Sequence, residues 1–156
     1  MVSLAISGLV LGACSSTSSS PASTTTTVAG PAAGSFTRTI LAESQPATAP
    51  GQTLYLQRVA FGPHTQLALH HHEGLQESTI LSGDLTYTVV QGSAGLRRAS
   101  GTSGTIEAGT TVVLHPGDSL VEYASTIHKG ANDTDRVVEL IISALLTTGA
   151  PLSTPN

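Results

Sequence analysis

This chain is short of the residues that most binding surfaces are made from. It has no Trp, its aromatics amount to 3%, and its charged residues to 10%. Only 6 Lys and Arg are spread over 156 residues, against 10 Asp and Glu. So few cations cannot neutralise a run of phosphates, which excludes nucleic acid as a partner. A single Cys, Cys14, rules out an internal disulfide. It lies in the leader, so no thiolate is left to ligate a metal in the folded part. Any ion must be held by nitrogen and oxygen. Long apolar runs are also missing. Val2 to Leu11 is apolar but too short to span a bilayer. No Ser elbow stands beside a plausible base, and no Gly-rich loop leads into a helix to cradle phosphate.

What is abundant is Gly, Ser, Thr and Val, the balance of a β-protein with many turns. Short apolar-alternating runs recur along the chain. The expected strands are Thr37–Ala42, Leu54–Phe61, Leu67–His72, Gln76–Leu81, Leu85–Val90, Thr105–Glu107, Thr111–Leu114, Ser119–Tyr123 and Arg136–Leu146. Gly62-Pro63, Glu73-Gly74, Pro116-Gly117-Asp118 and Asp133-Thr134-Asp135 punctuate them. Gln91 to Gly104 is expected to be a loop or a mobile hairpin tip. Arg136 to Leu146 is the longest apolar stretch of the domain, and its β-branched content favours a strand. No helix of normal length is expected. The fold class is all-β, a sandwich or barrel, and its roughly 120 residues can bury one modest core.

The N-terminal region has a different character. Residues 1–13 read as a signal peptide, with Val2 to Leu11 as its apolar core. Leu11-Gly12-Ala13-Cys14 resembles a bacterial lipobox, which implies lipidation of Cys14 and an exported, membrane-anchored protein. The leader lacks Lys or Arg after Met1, a departure from a normal n-region. Residues 14–35, rich in Ser, Thr, Pro and Ala, form an expected disordered linker. The domain proper is placed at 36–147, with 148–156 as a flexible tail.

One stretch carries the chemistry: His70-His71-His72-Glu73-Gly74-Leu75-Gln76-Glu77. On a strand, His70 and His72 share one face and His71 takes the other. Two imidazoles one strand repeat apart can grip one ion. His128, far downstream, could fold back beside them. If Gln76 faces inward, so do Ser78 and Ile80, while Glu77 faces outward.

Two segments resemble the paired motifs of the cupin superfamily. The first motif runs Gly, five residues, His-x-His, three or four residues, Glu, six residues, Gly. Here His64 stands in the leading Gly place. His70-x-His72, Gln76 and Gly83 follow at the same spacing. The second motif runs Gly, five residues, Pro-x-Gly, two residues, His, three residues, Asn. Gly117, His128 and Asn132 match it, with Tyr123 and Ser125 in the Pro and Gly places. The resemblance implies a jelly-roll β-barrel and a possible homodimer. It also implies a metal ligated by His70, His72, Gln76 and His128, with Gln departing from the family's Glu.

Glu77 is the alternative fourth ligand, fitting the longer spacing to the His pair but leaving five residues before Gly83. A neutral carboxamide would leave a three-His site with the ion's full charge, which acidifies bound water or favours an anionic substrate. The implied cofactor is one divalent transition metal: Fe, Mn, Zn, Ni, Cu or Co. Two functions follow. One is a metal-dependent enzyme on a small molecule, of dioxygenase, isomerase or decarboxylase type. The other is a non-catalytic binding protein for a metal or small ligand. Glu77, His64 and Tyr123 are the candidates for proton transfer, and His64 and Tyr123 for the pocket. Asp118, Glu107, Glu122 and Glu139 are expected to be solvated or in turns.

Overall fold

The computed structural model describes residues 31–156. The leader, Cys14 and the linker as far as residue 30 lie outside the described residues. Thirteen β-strands make up the described part, and no helix forms within it.

The strands are β1 (Phe36–Ser44), β2 (Gln52–Phe61), β3 (Thr65–Gln66), β4 (His70–His71), β5 (Gly74–Ser82), β6 (Leu85–Gln91) and β7 (Ser93–Arg97). They continue with β8 (Ser103–Glu107), β9 (Thr111–Leu114), β10 (Ser119–Glu122), β11 (Ile127–Asn132), β12 (Val138–Thr147) and β13 (Thr154–Pro155). Two antiparallel sheets result. One has the order β1-β2-β12-β5-β10-β7-β8, the other β13-β4-β11-β6-β9, with β3 also on β11.

Alternation of side chains explains how the sheets face each other. On β6, Leu85, Tyr87 and Val89 are buried, while Thr86 and Thr88 are partly exposed. On β12, Val138, Leu140, Ile142, Ala144 and Leu146 point into the core, flanked by half-buried neighbours. This strand is the most apolar because it lies between β2 and β5. The core between the sheets also takes Val59, Phe61 and Ile80.

Two motif residues prove to be structural. Gly83 turns β5 into β6 at φ 73°, and a Cβ there would lie 2.6 Å from the Val137 carbonyl oxygen. Asn132 is fully buried; its Nδ2 donates to the carbonyls of Phe61, Gly62 and Arg136, and its Oδ1 accepts from the Thr134 amide and hydroxyl. It pins the turn after β11.

Three expectations are corrected. Gln91 to Gly104 is mainly a paired hairpin: Ser93–Arg97 bonds to Ser103–Glu107, and β7 also pairs with β10. Leu67 to His72 is not one strand: only His70–His71 (β4) is strand there, β3 (Thr65–Gln66) ends before Leu67, and the backbone between them is irregular. The tail does not fray. β13 pairs with β4, and the Asn156 amide donates to the Leu69 carbonyl. A strand partner exists there because β4 would otherwise present an open edge.

Candidate metal centre

Both sheets contribute to a single internal site. From the smaller sheet come His70 on β4, His128 on β11 and Tyr87 on β6. From the larger come Gln76 on β5 and Glu122 on β10. His72 sits in the link between β4 and β5. The pairing register brings them together: His70 lies opposite His128, and Gln76 lies opposite Glu122.

His70, His72 and His128 are all buried, and one ring nitrogen of each lies within 4.8 Å of the other two. Ring centroids are 5.1 Å apart for His70 and His72, 4.3 Å for His70 and His128, and 5.3 Å for His72 and His128. Each imidazole is held through Nδ1 by a backbone carbonyl. His70 donates to Ala68 at 2.9 Å, His72 to Leu152 at 2.7 Å and His128 to Thr126 at 3.4 Å. With Nδ1 protonated, each Nε2 keeps its lone pair. Burial, above all, pushes the pKa of all three down, for His72 and His128 to about 4. These are neutral imidazoles at neutral pH, the form a metal requires.

Gln76 faces inward and Glu77 outward into solvent, as parity requires. Yet the carboxylate of the site comes from elsewhere. Glu122, expected to be solvated, is only 4% exposed. Its Oε1 lies 3.2 Å from His128 Nε2 and its Oε2 3.6 Å from His72 Nε2. Gln76 Nε2 donates to Glu122 Oε2 at 2.6 Å and to His72 Nε2 at 3.2 Å. The motif-one carboxylate is thus exchanged across the β5–β10 pair, and the amide orients it. The signal was present in motif two. Leu120 and Glu122 share one parity on β10, so an inward Leu120 carries Glu122 inward too.

The donor set fits a cation. Nε2 of His128 and Oε1 of Glu122 lie 3.2 Å apart, close enough to share one cation between them. Three imidazoles and one carboxylate suit a first-row divalent ion.

The other candidates fall away from the site. His64 is exposed, adopts φ 55°, and pairs with Asp135 at 2.8 Å. Tyr123 is 45% exposed, in a turn. The phenol in the cavity is Tyr87, whose ring lies 5.2 Å from that of His128. Its buried hydroxyl makes no hydrogen bond among the described residues. Burial, the charge of Glu122 and a contact with its carboxylate hold that phenol protonated, so its O–H is a donor that lies toward Glu122. His71 points away, between Glu73 and Asn156. His115 pairs with Asp84 at 2.7 Å on the surface. Asp118, expected to be solvated or in a turn, closes the turn from His115 and is buried there; it accepts from Arg98, the Ala99 amide and the His115 amide. Glu107 is exposed and Glu139 pairs with Arg58 on the surface.

No protein-family model matches the chain, and no curated protein matches it. Solved structures do. A cupin superfamily protein from Desulfitobacterium hafniense superposes with a TM-score of 0.54 at 15% identity, over 76% of this chain and 84% of that one. A cupin 2 domain-containing protein from Halorhodospira halophila gives 0.53 at 12% identity, over 78% and 70%. The fold is a cupin jelly roll. A DMSP lyase from Ruegeria pomeroyi shares it at a TM-score of 0.50 and 15% identity. That match covers 69% of this chain but only 45% of the lyase. In this barrel the three imidazoles come together, Gln76 stands on β5, and the carboxylate beside them comes from Glu122 on β10.

Proposed function

We propose that this protein is an exported, lipid-anchored cupin barrel that binds one divalent transition metal through His70, His72, His128 and Glu122, and acts on a small molecule. The observation that carries the metal reading is the triad itself. Three buried imidazoles converge on one point, each with Nδ1 beside a backbone carbonyl and Nε2 turned toward the others; that of His72 accepts from Gln76, a bond an ion would displace. Gln76 is then the residue that positions Glu122 rather than a ligand. When bound, the ion supplies Lewis acidity and open coordination positions. The barrel's own residues exclude water, orient Glu122 and offer the Tyr87 O–H beside the site. Dioxygenase, isomerase or decarboxylase chemistry is compatible with such a centre. The exported and anchored part of the reading rests on the leader and Cys14 alone.

The test is elemental analysis of protein purified without chelators or a metal-affinity column. Wild type is expected to hold about one ion per chain, and His70→Ala, His128→Ala and Glu122→Gln to lose most of it. A wild type that takes up no ion after reconstitution with Fe, Mn, Co, Ni, Cu and Zn sinks the metal reading.

A further inference from the structure

The imidazoles and Glu122 do not account for everything polar in the cavity. Arg38, on β1, also lines it. Phe36 and Arg38 share a strand face, and the guanidinium carbon sits 5.5 Å from the Phe36 ring centroid. Arg38 makes no ion pair among the described residues, and its Nε is buried without a hydrogen-bond partner. Gln76 Oε1 is buried without a partner in the same cavity, and the Tyr87 hydroxyl lies toward Glu122 without a well-aligned hydrogen bond to it. Two of these groups, Tyr87 and Gln76, are more than nine-tenths buried. Unpaired buried polar atoms are rare and costly, and they mark places where a ligand completes the bonding.

The position of Arg38 adds direction. Phe36, Arg38, Leu67 and His70 line the inner cavity and also an outer depression bordered by Ser153 and Pro155 of the tail. A molecule entering from that side meets Arg38 and His70 together, before His72 and His128, which line only the inner cavity. The inner cavity is small, about 40 Å³. At roughly 10–15 Å³ per water position, it admits a group of only a few heavy atoms. Apart from the polar groups named, its walls are largely apolar, with Phe61 and Leu85 among them.

Charge selects the class of ligand. Glu122 partly offsets a divalent ion, leaving a net positive centre, and Arg38 adds a fixed cation beside it. A guanidinium is always charged and presents a planar fork that matches a carboxylate. From this we infer that Arg38 and Tyr87 form the recognition site for a small carboxylate, whose charged end docks on Arg38 while the molecule lies against the imidazole centre. The assignment rests on the metal-centre reading for the chemistry, but the anion site itself stands on Arg38 and the cavity.

The test titrates the full chain, metal-loaded and metal-free, with acetate and with its neutral isostere acetamide, read by calorimetry and by amide NMR shifts. Metal content is measured separately on every sample. Acetate is expected to bind at least about tenfold more tightly than acetamide, and more tightly when metal is present. Arg38→Met should weaken acetate at least about tenfold with metal content unchanged, Arg38→Lys should fall between, and Tyr87→Phe should weaken it several-fold. Acetate binding unchanged in Arg38→Met, or acetamide bound as well as acetate in wild type, overturns the assignment. Because the second comparison uses only wild type, a poorly folded variant leaves the question decidable. Arg38-dependent acetate binding in a chain that takes up no metal keeps the anion site and removes the metal reading.

Discussion

Gln76 and Glu122 divide an amide and a carboxylate between two facing strands. The carboxylate stands on β10 and the amide opposite it on β5. Their 2.6 Å hydrogen bond needs one donor and one acceptor, so an acid at both positions conflicts. Gln76→Glu alone is expected to destabilise the chelated protein by about 1–3 kcal/mol, because one of two adjacent buried acids must take up a proton. Glu122→Gln alone removes the only carboxylate of the site and should weaken metal binding by more than about tenfold. The double variant Gln76→Glu/Glu122→Gln restores one acid and one amide, and should recover both thermal midpoint and metal content toward wild type. Denaturation curves and metal titrations on the four proteins form a double-mutant cycle. Additive effects would show that the pair does not act as a unit.

Among the elements, the tail is the least expected. It lies on β4 through Thr154 and Pro155, and its Leu152 carbonyl takes the His72 Nδ1–H. Groups that orient metal-bound imidazoles influence affinity nearly as much as the ligands themselves. Removing residues 152–156 should therefore weaken metal binding by about 10–100-fold, measured by competition with a chelator. Circular dichroism should still report a folded barrel, since the large sheet and the β11–β6 pairing do not involve the tail. Unchanged affinity in the truncated chain would deny the tail a part in the site. Elsewhere, β12 shows the opposite case. Its long apolar run and β-branched content already mark a strand, and β2 and β5 cover its two edges.

The whole molecule couples the site to stability through pH. His72 and His128 are pushed from 6.5 down to about 4, chiefly by burial. In the metal-free protein, the unfolded chain takes up these protons near pH 6.5 and the folded chain only near 4. Stability is complete above that window and falls as the pH drops through it. Asp118 acts lower on the scale. Burial opposes its charge, but the His115 and Ala99 amides and Arg98 outweigh it and hold its pKa below 3.8. Its contribution is present above that value and is lost as the pH falls through the lowered one. Denaturant midpoints of chelated protein should thus decline in two stages on acidification. Asp118→Asn should remove the lower stage and leave the upper one.

Much of this was legible along the chain. Strand alternation, turn residues and the His70-x-His72 spacing depend only on neighbours a few residues apart, so the all-β class, the shared face of that pair and the inward side of Gln76 could be read directly; His128 joined them through the motif resemblance, and the β4–β11 pairing is what places it there. Strand parity would also have turned Glu122, Arg38 and Tyr87 inward, through Leu120, Phe36 and the Leu85–Val89 alternation. What parity could not supply was which strand lies opposite which. Only the β5–β10 pairing brings Glu122 to Gln76. Only the closure of β1 over the cavity brings Arg38 to the mouth, and only the β13–β4 pairing puts Leu152 behind His72. The local pattern decides which way a side chain points, and long-range pairing decides what it meets there.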